Sequence, residues 1–374
     1  MPNNETSPLL TPYTLGSLEL PNRIAMAPMT RYRGDEDGVP LPIVADYYAQ
    51  RAGAGLIVSE GIWPSFSGQS GWRIPGLVTE DQVRGWRRVT DAVHAAGGRI
   101  AAQLMHAGRN THPDSRIDGG HPLAPSPVPQ PLPVHTRYGK AEPLVPAEMT
   151  AEDIRAAVAD HARSARNAIR AGFDLVELHG ANSYLIHQFL ADNTNLRTDA
   201  YGGAGRARFA AEAVRAVAEE IGAERTAIRL SPGNTQFGMA EADPAPVYRA
   251  LLGELDPLGL AYLHLTEAAG SGYASLADLR PRWSGTLIAN VGENGEATTK
   301  EAAEEVLGSG RADLVSFGRA FISNPDLPHR FATGAPVAPP ETKEPGAKKH
   351  WYSHGPEGYT DYPVSSAEPL AAAR

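Results

Sequence analysis

The residues whose types and spacing could do chemistry lie in one short stretch, His179-Gly-Ala-Asn182-Ser-Tyr184. An imidazole, a carboxamide and a phenol so close together can bind an oxygen atom and pass a proton. The apolar run Leu175-Val-Glu-Leu leads into His179 and reads as a short buried strand that ends at the histidine. Asn182 and Ser183 then read as N-cap candidates for a following helix. A strand-to-helix corner of this kind is where parallel α/β proteins carry catalytic groups. The plainer account is that His179 is a core histidine with satisfied hydrogen bonds and Asn182 merely a cap.

The elements that must position these groups repeat along the chain. A hairpin around Gly16-Ser17 precedes a strand at 24–26, and Pro28, Met29 and Thr30 follow that strand directly. A helix at 43–51 leads to a strand at 56–59, and a helix at 81–96, stopped by Gly97-Gly98, leads to a third strand at 99–103. Residues 112–146 are rich in proline and glycine, and so long a connection inside a compact domain reads as a capping excursion. The alternation resumes with a Thr150-capped helix to 171 and the strand that ends at His179. Further strands follow at 226–230, 262–266, 286–289 and 314–317, separated by helices at 204–221, 245–255 and 300–307. Eight strands alternating with helices predict a single (β/α)8 TIM barrel spanning 1–374, with an N-terminal hairpin, the 112–146 excursion after the third strand, and a C-terminal extension at 340–374. An open doubly wound sheet is disfavoured, because no strand is followed by Gly-x-Gly-x-x-Gly.

In a barrel, polar residues at the C-terminal ends of strands converge on one mouth. Thr30, Gln103, His179 and Arg229 are such residues. The loops after the last two strands, Asn290-Val-Gly292-Glu-Asn-Gly295 and Gly318-Arg319, sit where barrels commonly bind phosphate. A guanidinium on a barrel strand needs an acceptor, and both a ligand carbonyl or anionic nitrogen and the carboxylate of Glu177 could partner Arg229.

Composition removes several alternatives. Thirty-four basic against 43 acidic residues give a net charge of −9, without the electrostatic footprint of a nucleic-acid binder. The absence of cysteine rules out a thiolate nucleophile, a cysteine-ligated zinc and an iron–sulfur cluster. None of the 12 histidines forms His-x-His or His-Glu-x-x-His, and no lysine falls at a strand end for Schiff-base chemistry. Glu60 and Glu267 leave paired-carboxylate glycosidase chemistry open. No secretory leader or membrane span is apparent, so a cytoplasmic protein that does not engage membranes is expected.

Three stretches resemble the old yellow enzyme family of FMN-dependent ene-reductases. They are Pro21-Asn-Arg-Ile-Ala-Met-Ala-Pro-Met-Thr30-Arg31; His179-x-x-Asn182-x-Tyr184-Leu-Ile-His187-Gln-Phe-Leu190 with Asn195-x-Arg197-x-Asp199-x-Tyr201-Gly-Gly203; and Phe317-Gly-Arg319-x-Phe-Ile-x-Asn324-Pro-Asp326-Leu327. Glu357-Gly-Tyr-Thr-Asp-Tyr-Pro363 extends the match over nearly the whole chain. The resemblance implies a (β/α)8 barrel holding FMN, reduced by NADPH or NADH, that acts on α,β-unsaturated carbonyl compounds. It implies that Thr30 bonds the flavin O4, Gln103 its pyrimidine edge, and Arg229 its N1 and O2. Asn290, Gly292, Gly318 and Arg319 would hold the phosphate. Pro28, Met29, Gly61, Trp351 and Tyr352 would also border the cofactor. His179 and Asn182 would bind the substrate carbonyl and Tyr184 would supply the proton. Thr30 stands where one branch carries cysteine, which points to the thiol-free branch. Met105 replaces a common tryptophan, and Trp72 lies where a tyrosine is usual.

The expected partner is a small activated alkene, with the protein a monomer or homodimer. Nitro compounds or nitrate esters are alternative substrates on the same fold. A barrel hydrolase or lyase with a phosphate site and a non-catalytic flavin binder are the rival functions.

Overall fold

The computed structural model describes residues 7–267, 272–292, 297–339 and 350–366. Strands β1 (Tyr13–Leu15) and β2 (Leu18–Leu20) form the expected hairpin, turning through Gly16 at φ +59°. Three barrel strands follow: β3 (Ile24–Met26), β4 (Leu56–Ile62) and β5 (Ile100–Leu104). The excursion contains β6 (Leu123–Ala124), β7 (Val134–Thr136), β8 (Gly139–Ala141) and β9 (Ala147–Glu148), with β7 and β8 paired as an antiparallel hairpin. Strands β10 (Leu175–Gly180), β11 (Thr226–Leu230), β12 (Tyr262–Glu267), β13 (Leu287–Val291) and β14 (Leu314–Phe317) complete the barrel. All eight barrel strands are parallel, and β14 closes onto β3 with Val315 opposite Ile24 and Phe317 opposite Met26. The expected (β/α)8 barrel is therefore present.

Helices α1 (Ile43–Ala49), α2 (Glu80–Ala95), α3 (Ala151–Arg170), α4 (Leu185–Leu190), α5 (Arg208–Ile221), α6 (Ala245–Leu255), α7 (Ser275–Leu279) and α8 (Lys300–Gly308) lie among the strands in sequence. Thr150 caps α3 in a reciprocal box with Asp153, satisfying two donors that the first helical turn leaves free. The helix expected from 204 begins at Arg208. Gly202 and Gly205 turn against the carbonyls of Arg197 and Ala200, where a Cβ would come within 1.8 and 2.2 Å, and this tight turn delays the helix. Among the described residues no helix is long and apolar enough to cross a membrane.

The strand period explains how the barrel positions polar groups. One inner layer is apolar: Ala101, Leu175, Ala227, Tyr262, Ile288 and Leu314 pack together over Leu15 and Leu20 of the hairpin, which plugs the bottom. Two residues further along the same faces come Gln103, Glu177, Arg229, His264, Asn290 and Ser316, all polar. Another two residues on stand His179, Ser231, Thr266, Gly292 and Gly318, at the mouth. A single period-2 pattern thus seals one end and lines the other with chemistry.

Candidate active site

The polar layer is one connected network. Gln103 donates from Nε2 to Glu177 Oε1 at 2.8 Å, and Glu177 Oε2 is 2.9 Å from His264 Nδ1. His264 Nε2 in turn lies 2.9 Å from Ser316 Oγ. Burial opposes the charge on Glu177, but His264, Arg229 and Gln103 outweigh it and hold the carboxyl below its ordinary range. Glu177 spends its hydrogen bonds on Gln103 and His264, so the expected Glu177 pairing with Arg229 is not a direct ion pair. Arg229 is 6% exposed, and its Nε has no hydrogen-bond partner among the described residues. Desolvation lowers its pKa, against the opposing effect of Glu177.

Above this layer the chain turns sharply. Asn182 and Ser183 have φ of +52° and +71°, and α4 starts at Leu185 behind Tyr184. They are therefore not its N-cap, as the sequence suggested. They form a left-handed corner, a conformation that costs energy and persists only when neighbours over-determine it. Here Ser231 Oγ accepts from the Asn182 N–H at 2.8 Å, and His187 Nδ1 accepts from the Ser183 N–H at 3.0 Å. The Ser183 carbonyl accepts from Gln188 Nε2 at 2.6 Å and from Asn110 Nδ2 at 2.8 Å. The corner brings the rings of His179 and Tyr184 to a centroid separation of 4.9 Å.

Both groups are held uncharged. Burial, then Arg229, drives the His179 pKa well below its ordinary value, while burial and Tyr352 push the Tyr184 phenol up to about 12. The Nδ1 of His179 is buried and has no hydrogen-bond partner among the described residues.

Two cavities open at this corner, and His179 lines neither of them. One, about 410 Å³, is lined by Pro28, Met29, Asn182, Arg229, Asn290 and Arg319, together with Gly292 and Gly318. Thr266 opens on the same space, with a buried hydroxyl lacking a partner among the described residues. The other cavity, about 550 Å³, is lined by Thr30, Tyr32, Trp72, Tyr184, Tyr352 and His354, and by parts of the excursion. Tyr184 and Asn182 therefore face different cavities from adjacent turns of the chain. Residues 293–295 of the first phosphate loop lie outside the described residues, as do 340–349 and 367–374 of the expected extension.

The wall carrying Tyr352 is fastened from behind. Arg31 and Arg33 are fully buried and donate to main-chain carbonyls of the segment that follows residue 350: Arg31 to Trp351 at 3.1 Å and Gly358 at 2.6 Å, Arg33 to Trp351 at 2.9 Å and Gly355 at 3.1 Å. Tyr352 then meets Tyr32 edge to face at 5.5 Å. Trp351 is buried, its carbonyl held by both arginines. Gly61 lies on β4 beyond a break in register, against Met105, where a Cβ would meet the sulfur at 2.5 Å.

Comparison with known proteins bears directly on this arrangement. The model of the NADH:flavin oxidoreductase / NADH oxidase family matches residues 8–337. A chanoclavine-I aldehyde reductase of Penicillium roqueforti is 42% identical over 96% of each chain. A putative 12-oxophytodienoate reductase 3 of Oryza sativa subsp. japonica is 40% identical over 95% of this chain and 92% of its own. The old yellow enzyme homologue from Zymomonas mobilis superposes with a TM-score of 0.89 at 39% identity, covering 96% and 99% of the two chains. Morphinone reductase in complex with tetrahydroNAD gives 0.89 at 42% identity, covering 96% and 98%.

The chain belongs to the old yellow enzyme family. It is an FMN-dependent, NAD(P)H-dependent oxidoreductase that reduces activated alkenes. The residues fit the cofactor. A buried guanidinium without a hydrogen-bond partner at Nε suits a heterocycle that gains negative charge, and a separate arginine lines the same cavity at its glycine-rich end. Sequence reasoning missed His264, Ser316 and the arginine clamp of this enzyme. The inward parity of His264 with Tyr262 was the available signal for the first.

Proposed function

We propose that His179 and Asn182 bind the carbonyl oxygen of the alkene substrate and that Tyr184 protonates the α-carbon. Thr30, Gln103 and Arg229 meet the pyrimidine side of FMN, and Asn290, Gly292, Gly318 and Arg319 meet its phosphate. Pro28, Met29, Gly61, Trp351 and Tyr352 border the ring system. When bound, FMN takes hydride from NADPH or NADH and delivers it to the β-carbon.

The protein's own contribution follows from the site's electrostatics. A neutral imidazole and a carboxamide donate hydrogen bonds to the carbonyl oxygen, where charge accumulates as the alkene is reduced. Tyr184 keeps its proton because burial holds the phenol at about 12, so a donor is in place when the α-carbon becomes basic. Arg229, desolvated in advance, gains most from an anionic partner. Gly318 has only Met29 and Ala27 near its absent Cβ, at 3.7 and 3.8 Å, so protein packing does not require glycine there and close approach of a phosphate does.

The observation that carries this reading is the 4.9 Å pairing of two uncharged proton-capable rings, one of which, Tyr184, lines the larger cavity. The test is anaerobic stopped-flow. NADPH should bleach the bound flavin, cyclohexenone should restore its colour, and Tyr184→Phe should slow only the second phase. A variant that slows neither phase would remove Tyr184 from the chemistry.

We further propose that the whole chain acts as one domain, a monomer or homodimer in the cytoplasm, with neither nucleic acid nor membrane as partner. The net charge of −9 and the single barrel core support this reading.

A further inference from the structure

The larger cavity is lined by polar groups that carbonyl binding does not use. Gln130 belongs to the excursion, is 4% exposed and lines the cavity, yet its Oε1 is buried with no hydrogen-bond partner among the described residues. Ser70 and Asn110 line the same cavity, and Ser70 Oγ and Asn110 Oδ1 are likewise buried and without partners among those residues. A buried amide or hydroxyl left unpaired is unfavourable, and three among the residues lining one cavity point to a ligand that satisfies them.

The chemistry of that ligand can be read from Asn110. Its Nδ2 is committed to the carbonyl of Ser183 at 2.8 Å and the hydroxyl of Ser183 at 2.7 Å. That fixes which end of the amide is nitrogen, so Oδ1 presents an acceptor. The partner it asks for is an O–H or N–H. The surroundings separate the two. Arg109, beside Gln130 in the fold, donates to the carbonyls of Pro129 at 3.3 Å and Phe237 at 2.9 Å, and Arg73 stacks over Trp72 at 4.5 Å. Arg73 lies 3.9 Å from Glu36, whereas Arg109 has no carboxylate partner among the described residues, so Arg109 disfavours a protonated amine and leaves a neutral hydroxyl as the better fit. The same cavity is lined by the apolar and aromatic side chains of Ile74, Trp72, Val134 and Tyr352. A space of about 550 Å³ is more than a single six-membered enone fills.

We propose that Gln130 and Ser70 form a second subsite for a neutral hydroxyl on the substrate, apart from the carbonyl oxygen, with Asn110 Oδ1 offering a further acceptor beside the Ser183 corner. The natural substrate class is then a hydroxylated enone or enal with an apolar carbon skeleton between the two oxygens. This rests on the roles proposed above for His179, Asn182 and Tyr184, which orient the enone or enal itself. Asn110 also braces the corner at Ser183, so Gln130 and Ser70 are the residues that report on the subsite alone.

The test uses calorimetric binding of para-substituted phenols to the flavin-loaded protein, so that it does not depend on turnover. Each phenol with an ω-hydroxyalkyl chain of two to four carbons is compared with the alkylphenol one methyl longer. In the wild type at least one hydroxylated member should bind tighter than its alkyl counterpart. Gln130→Leu should cut that preference by about fivefold or more, the value of one good hydrogen bond. Ser70→Ala, which removes only a hydroxyl, should cut it less and guards against a misfolded leucine variant. A preference unchanged within twofold in both variants overturns the subsite, as does tighter binding of the matching ω-ammonium phenol than of the alcohol. Retained hydroxyl preference in a protein that cannot reduce cyclohexenone with NADPH would sink the catalytic assignment and leave the subsite standing. Normal reduction without the preference would do the reverse.

Discussion

The two cavities at the barrel mouth are built in different ways. The smaller one is walled largely by strand ends and the turns that leave them: Arg229 on β11, Thr266 on β12, Asn290 on β13 and Gly318 behind β14. Their positions follow from the ladder of the closed sheet. The larger one is walled by the excursion, the residues around Phe237 and the segment after 350. Those segments are held by arginine side chains donating to main-chain carbonyls: Arg31 and Arg33 behind Tyr352, and Arg109 between Pro129 and Phe237. The difference separates two tasks. The smaller cavity is fixed by the fold, whereas the larger one is hung on the fold and can change without disturbing the ladder.

The strongest way to break this division is Tyr184→Phe, because Tyr184 borders the larger cavity while its backbone belongs to the corner shared by both. General acid catalysis is worth typically ~10²- to 10⁴-fold, so reduction of cyclohexenone should slow by up to that factor while flavin reduction by NADPH stays nearly intact. Equal slowing of both half-reactions would mean that the phenol shapes the pocket. Nitroalkenes should suffer less, since their product anion can leave and be protonated in water.

Next in size, His179→Ala with Asn182→Ala should lower the oxidative rate by roughly 10²- to 10³-fold, as loss of oxyanion donors does elsewhere. The same variant should abolish the long-wavelength band expected when p-hydroxybenzaldehyde sits over oxidised flavin. An unchanged titration would place the ligand oxygen elsewhere.

On the cofactor side, Arg319→Ala should weaken FMN binding by about 1.5 to 3 kcal/mol, the range for a charge-assisted hydrogen bond. Equilibrium dialysis of the flavin decides this, and unaltered affinity would remove Arg319 from the phosphate site. Arg33→Lys should act mainly on the other side. It keeps the charge but loses the fork that spans Trp351, Gly355 and His350, so KM for cyclohexenone should rise several-fold, with a smaller loss of FMN affinity than in Arg319→Ala.

The smallest effect concerns pH. Tyr184 titrates upward, at about 12, so its neutral donor form persists through pH 10 and should give the oxidative half-reaction no alkaline limb below that. The His179 pKa is lowered, so the ring stays neutral as pH falls through its ordinary value and should give no loss near pH 6.5. A rate that falls between pH 8 and 9 in the wild type but not in Tyr184→Phe would contradict the first statement.

Much of the smaller cavity was legible in the sequence, because strand ends can be counted and polar residues at a fixed parity must face the barrel. Arg229, Asn290 and Gly318, placed at the mouth by that count, line it, and Thr150 was read as a cap from its position alone. The corner at Asn182 and Ser183 was misread. Both residue types favour helix caps, and only the bonds from Ser231, His187 and Asn110 select the left-handed turn. The arginine clamps were not legible either. Their acceptors are main-chain carbonyls, which every residue carries, so no pattern of side chains marks which one Arg33 will reach. Glu177 was identified as a buried acid on the correct strand, yet its partner is a histidine two strands away in the barrel, and parity alone could not rank His264 above the nearer Arg229.

The clamp on the segment after 350 also has a meaning in time. Arg31 and the Trp351 carbonyl that it holds are 320 residues apart in the chain, and β3 waits for β14 before the barrel can close. A ribosome therefore delivers two arginines destined for complete burial long before it delivers their acceptors. Throughout most of synthesis those guanidinium groups must stay in water, and with them the strand end that carries Thr30. This wall of the larger cavity is thus the last part of the mouth to be assembled, and a nascent chain released early would keep much of its barrel sequence without it.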